Sequence, residues 1–95
     1  MERVETTFWL DFSIADKFGL SAIKDTYRRA FDCWKNDYRY LTELVMVLNH
    51  KIWEHYEKGN KQKSKLYNDL WIKADAYAIN NLKDDELMYF YMVTD

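Results

Sequence analysis

Proline is absent from the 95 residues, glycine occurs twice and cysteine once. Few positions can therefore break a helix, and both glycines, Gly19 and Gly59, follow helix-like runs, where a residue in the left-handed region commonly ends a helix. The single cysteine, Cys33, excludes an intramolecular disulfide and any cysteine-built zinc or iron–sulfur site, and it fits a reducing compartment. No apolar run reaches the roughly 18 residues of a membrane span, and the opening Met1-Glu2-Arg3-Val4-Glu5 does not have the character of a signal peptide. The expected location is the cytoplasm, with no membrane partner. A net charge of −2 excludes indiscriminate coating of nucleic acid and equally a strongly acidic mimic of DNA. Valine, isoleucine and threonine are few and no sustained period-two run exists, which excludes a β architecture.

What the chain does have is aromatic mass: four tryptophans, eight tyrosines and five phenylalanines. A chain this short forms one domain, 1–95, and needs dense apolar packing or a partner subunit to be stable. The apolar spacing predicts a helix over 6–18, with Phe8, Phe12, Ala15 and Phe18 inward and Thr6 or Thr7 as cap. A second helix, 22–36, begins at a Ser21 cap and turns Ile23, Tyr27, Ala30, Phe31 and Trp34 inward. Asn36-Asp37 breaks the chain before a third helix, 38–58, striped by Leu41, Leu44, Val45, Leu48, Ile52 and Tyr56. At roughly 30 Å it is long enough to be the central helix. Gly59-Asn60 ends it, and a fourth helix, 62–81, carries Leu66, Tyr67, Leu70, Trp71, Ala74, Tyr77 and Ala78. After Asn80-Asn81, Asp84 caps a short last helix, 85–93, with Leu87, Phe90 and Tyr91 on one side. The expected fold is all-α, a bundle of four main helices plus a short C-terminal one, with 38–58 and 62–81 as an antiparallel hairpin. Its expected core is Phe12, Ile23, Phe31, Leu41, Leu44, Val45, Leu48, Ile52, Leu66, Leu70 and Ala74.

Catalytic signatures are missing. His50 and His55 flank Glu54, but five residues rotate a helix by about 500°, which leaves the imidazoles roughly 140° apart and unable to chelate one ion. Cys33 beside Trp34 reads as a space-filler at the edge of a core. Glu54 with Lys58 and Asp69 with Lys73 are i, i+4 pairs of solvated helix faces. No glycine-rich phosphate loop exists. The expectation is a chain without catalytic residues, metal or cofactor.

The segment Ile14-Ala15-Asp16-Lys17-Phe18-Gly19-Leu20-Ser21, continuing to Tyr27-Arg28-Arg29-Ala30-Phe31, resembles the helix-turn-helix of AraC-type transcription regulators. That resemblance implies a recognition helix placing Lys24, Arg28 and Arg29 near DNA. It departs from the motif at Asp25 and Arg28, where apolar residues are wanted. A basic turn, Lys58, Lys61, Lys63 and Lys65, is a second place where phosphate or an acidic protein surface could bind. Trp9, Trp53, Tyr38, Tyr40 and Tyr89 fall outside the main apolar stripes, and exposed aromatics mark interfaces. Over nearly its whole length, through Thr7-Phe8-Trp9-Leu10-Asp11-Phe12, Tyr40 to Asn49 and Ala74-Asp75-Ala76-Tyr77-Ala78, the chain is similar to a family of small uncharacterised proteins of gut Bacteroidetes and their phages or mobile elements. The resemblance implies a bacterial or phage setting, a cytosolic location and single-domain size, and brings no established activity with it. The expected function is a small protein-interaction module, partnered by another protein or by itself, acting through the aromatic patch and the basic turn; the alternative partner is nucleic acid, bound through segment 14–31 or turn 58–65.

Overall fold

The two glycines and two polar pairs divide the chain, as the spacing predicts. The computed structural model describes residues 4–94, in five helices: α1 (Phe8–Phe18), α2 (Leu20–Trp34), α3 (Tyr38–Glu57), α4 (Lys61–Asn81) and α5 (Asp84–Thr94). There is no strand among the described residues. The fold is an all-α bundle.

At the first junction Gly19 alone links α1 to α2, with φ 113° and ψ −170°, a combination open essentially only to glycine. The expected Ser21 cap is not used, because α2 starts one residue after Gly19 and Ser21 lies inside its first turn. A DNA-binding helix-turn-helix joins its helices by three or four residues, so this one-residue link differs from it. Thr7 occupies the α1 N-cap, yet its hydroxyl donates to the Asp11 carboxylate at 2.8 Å instead of capping the backbone. Asp37 caps α3, its side chain accepting from Arg39 N at 3.1 Å. The α3–α4 turn is a Schellman motif: Asn60 N–H reaches His55 O at 2.9 Å, Gly59 N–H reaches Tyr56 O at 3.1 Å, and Gly59 has φ 76°. At α5, Lys83 rather than Asp84 holds the cap position, with Glu86 accepting from Lys83 N at 3.0 Å.

Helix α3 is central. It packs on all four others, most heavily on its hairpin partner α4, and Leu41 to Leu48 are buried without interruption. Of the expected core, Phe12, Ile23, Leu41, Leu44, Val45, Leu48, Leu70 and Ala74 are buried, while Phe31, Ile52 and Leu66 are partly buried around it. Phe8, Ala15, Tyr27, Met46, Val47, Tyr67, Ala78 and Phe90 complete it. Three expected inward residues point out instead: Phe18, Tyr56 and Tyr91. Phe18 stands three residues after Ala15, a rotation of about 60° away from the Phe8–Phe12–Ala15 line. Tyr56 yields its place to His55, because α3 beyond Leu48 meets the polar edge of α1. Asn49 is half-buried as expected. Cys33 is exposed, beside the α1–α2 groove rather than filling a core edge.

Candidate functional site

Where α1, the end of α3 and the start of α4 converge, a polar cluster lies inside the bundle. Asp16 of α1 is its hub. Its Oδ2 accepts from Lys51 Nζ and from His55 Nε2, both at 3.0 Å, and its Oδ1 accepts from the Tyr67 hydroxyl at 2.5 Å. Lys51 Nζ also donates to Ser13 Oγ and to Glu54 Oε2, each at 3.2 Å. Helical spacing explains the set. Lys51 and His55 are one turn apart on α3 and face the same edge of α1, where Ser13 and Asp16 are three residues apart. Lys63 from the first turn of α4 donates to the Asp16 carbonyl at 2.7 Å, one of the last carbonyls of α1, and so closes that helix end. The Schellman turn brings Asn60 Nδ2 to 3.2 Å from His55 Nδ1. An imidazole donating through Nε2 to Asp16 and accepting at Nδ1 from Asn60 satisfies both contacts. The His55 ring also stacks on Tyr67, nearly parallel at 5.5 Å.

The electrostatics follow from this enclosure. Burial is the largest single influence on Asp16 and works to raise its pKa, but hydrogen bonds from Tyr67, Lys51 and His55 and the Lys51 charge together hold the carboxyl below the usual range. Burial pushes the Tyr67 phenol far up, and the Asp16 carboxylate at its oxygen adds to the shift. A phenol held so firmly protonated is a donor, not a base or nucleophile. Asp16, Glu54 and His55 present ligand atoms within 4.8 Å of one another. The Lys51 ammonium lies 3.0 and 3.2 Å from two of those atoms, Asp16 Oδ2 and Glu54 Oε2, so the position a cation would take among these carboxylates is held by a side chain of the protein itself. His50, on another face of α3, packs edge-on to Trp9 at 5.3 Å, and the two imidazoles do not meet.

The surface expected from the sequence is divided by the fold. Trp9 and Trp53 are exposed, at 40% and 56%. Tyr89 is not: it is 6% exposed, with Tyr38 packed edge-on against it at 5.2 Å. Tyr40 is half-buried, stacked 4.0 Å from Trp34. Tyr38 and Tyr89 are thus packed on each other, and Tyr40 on Trp34 beside Thr7 and Phe8, rather than standing exposed like Trp9 and Trp53. Lys58, Lys61 and Lys65 are exposed, whereas Lys63 is half-buried and committed to Asp16. Of the DNA-contact residues implied by the helix-turn-helix resemblance, Lys24 and Arg28 lie along a groove between α2 and α4, and Arg28 is bound to Asp25 at 2.5 Å. Arg29 points to the opposite side of α2, into the groove against α1.

A feature the spacing did not single out is the outer face of α1. Leu10, Ile14 and Phe18, one turn apart, are 60%, 46% and 79% exposed. Their signal was in the sequence: α1, FWLDFSIADKF, is apolar nearly all round, and such a helix is normally covered on every side. Beside this ridge runs a groove of about 600 Å³ between α1 and α2, over the small side chains Ala15, Ala22, Thr26 and Ala30.

No protein-family model, curated protein or solved structure matches the chain. No helix among the described residues is long and apolar enough to cross a membrane.

Proposed function

We propose that the chain is a small protein-interaction module without catalysis, which docks the outer face of α1 against another protein surface. The observation that carries this reading is the α1 ridge: a helix whose inner side enters the core through Phe8, Phe12 and Ala15 while Leu10, Ile14 and Phe18 are left in water. Contiguous exposed apolar surface of this kind marks interaction sites. Trp9 flanks the ridge on the α3 side. The Asp16 cluster supports a structural rather than a chemical role, since its donors and acceptors satisfy one another across three helices. An exposed lone thiol, Cys33, fits the reducing cytoplasm of a bacterial or phage-infected cell.

Retention of a partner protein by the immobilised chain, lost on Ile14→Glu with the helical circular dichroism intact, is the expected result. Equal retention by wild type and Ile14→Glu counts against the reading. A second reading, nucleic-acid binding at Lys58, Lys61 and Lys65, is favoured by the exposure of Trp53 and Tyr56 on the neighbouring last turns of α3. Titration with single-stranded oligonucleotides at two salt concentrations tests it, because phosphate contacts weaken steeply with salt.

A further inference from the structure

Helices α4 and α5 both rest on α3 and hardly touch each other. The cleft between them has a volume of about 150 Å³, enough for a guest the size of benzene. Trp71 and Asp75, one turn apart on α4, share the face that borders it. Phe90 and Tyr91 border it from α5, their rings 5.5 Å apart and inclined at 70°. Phe90 is buried, whereas Tyr91 is 44% exposed and Trp71 and Asp75 are half-buried, so the cleft opens to solvent. Among the described residues Asp75 is the one charged group that borders it, and it makes no hydrogen bond and no ion pair. Burial raises its carboxyl from the ordinary value, with no cation to offset the effect. Asp16 is the contrast, for there Tyr67, Lys51 and His55 more than offset burial.

We infer that this cleft binds the trimethylammonium head of a choline-like compound, through the Asp75 carboxylate and the rings of Trp71, Phe90 and Tyr91. A carboxylate and aromatic faces both attract a cation, and rings set at steep angles to one another can surround it. The polar inventory selects the kind of cation. A primary ammonium brings three N–H donors that need acceptors, and a divalent metal ion calls for roughly six oxygens. The cleft offers Asp75 and the Asn49 carboxamide, while Thr94, its third polar side chain, donates its hydroxyl proton to Phe90 O at 2.7 Å. A trimethylammonium group has no N–H to satisfy. Its methyls pack on the rings, one carboxylate meets its charge, and its bulk is close to that of benzene. The cleft shares no residue with the Leu10–Ile14–Phe18 ridge, so ligand binding here and docking there are independent properties.

Calorimetric titration of the full chain with choline chloride and with tetramethylammonium chloride tests this, with circular dichroism to verify the fold of each variant. Saturable binding in the millimolar range or tighter is expected for both. The neutral isostere of choline, with a tert-butyl group in place of the trimethylammonium, should bind roughly tenfold more weakly. Asp75→Asn should weaken choline binding by roughly tenfold, and Tyr91→Leu by about threefold to tenfold; both positions are exposed enough for the variants to fold. In nitrogen-15 spectra the Trp71 indole, assigned by its loss in Trp71→Phe, should shift most of the four indoles. Absence of saturation, equal binding of the neutral isostere, or an affinity indifferent to both Asp75→Asn and Tyr91→Leu overturns the site. Co-sedimentation with phosphatidylcholine vesicles that free choline competes away places the head group on a lipid; its absence, with choline still bound, places it on a soluble molecule.

Discussion

Replacing Lys51 by methionine is the sharpest probe of the interior. The side chain is 2% exposed, and its ammonium has three acceptors, Asp16 Oδ2 at 3.0 Å and Glu54 Oε2 and Ser13 Oγ at 3.2 Å. Methionine fills most of the volume but leaves the Asp16 carboxylate inside the bundle without its counter-charge. Breaking a buried pair in this way costs about 3–5 kcal/mol, a large part of the roughly 5–15 kcal/mol that holds a small domain together. In wild type the Asp16 pKa is held below its unfolded value. Its contribution is therefore present above the unfolded pKa of about 3.9 and is lost as pH falls through the folded pKa. In Lys51→Met two of the influences that lower the Asp16 pKa are removed while the raising effect of burial stays, so the folded pKa moves up from its wild-type position. As pH falls the variant's folded carboxyl therefore takes up its proton earlier than the wild type's, and the variant gains stability relative to wild type. The stability gap should thus be widest near neutrality and should narrow toward pH 4, as read by urea unfolding across that range. Adding Asp16→Asn to Lys51→Met should cost less than the sum of the single changes. A gap under about 1 kcal/mol at neutrality, or one independent of pH, would refute the argument that these charges are buried as a coupled pair.

Leu48 is fully buried on α3, and Leu48→Ala should lower the unfolding free energy by about 2–5 kcal/mol; an unchanged urea midpoint would remove it from the core. The two glycines should separate in the same assay. No atom lies within 4 Å of a Cβ added at either, so only backbone conformation acts. Gly59→Ala, at φ 76° in the left-handed region, should cost about 1 kcal/mol. Gly19→Ala, at φ 113° and ψ −170°, should cost more, up to about 3 kcal/mol. Asp16→Leu should loosen α1 selectively, seen as faster amide exchange in residues 8–18 than in the α3–α4 hairpin; uniform exchange across all helices would argue against it.

The α3–α4 hairpin was legible because its stripe is strongly periodic and its turn is written in Gly59-Asn60. Eight of the eleven expected core residues are buried for the same reason. The outward turn of Phe18 and Tyr56 was not legible, since helical spacing fixes which residues share a face but not where along the helix its covering neighbour ends. Tyr89 illustrates the converse. It lies off the α5 stripe, yet Tyr38 packs against it at 5.2 Å, a contact between residues from opposite ends of the chain's last three helices that no local pattern encodes. The Asp16 cluster was hidden for a chemical reason. A lysine and a histidine one turn apart on α3 are ordinary surface residues unless something anionic faces them, and Asp16 is some 35 residues upstream of Lys51.

That cluster also explains how so apolar a helix acquires one orientation. With phenylalanine, tryptophan, leucine and isoleucine around nearly its whole circumference, α1 has little amphipathic preference, and hydrophobic burial alone discriminates weakly between its two faces. Polar contacts discriminate strongly. Turning α1 about its axis would withdraw Ser13 and Asp16 from Lys51, His55 and Tyr67, leaving the buried ammonium with Glu54 alone and the buried phenol without its acceptor, at about 1–3 kcal/mol for an unsatisfied group. The hydrogen bonds at 2.5 to 3.2 Å around Asp16 and Lys51 therefore fix which residues of α1 enter the core. By the same geometry they fix which remain outside, so the buried network inside the bundle sets the orientation of the Leu10–Ile14–Phe18 ridge that the proposed interface uses.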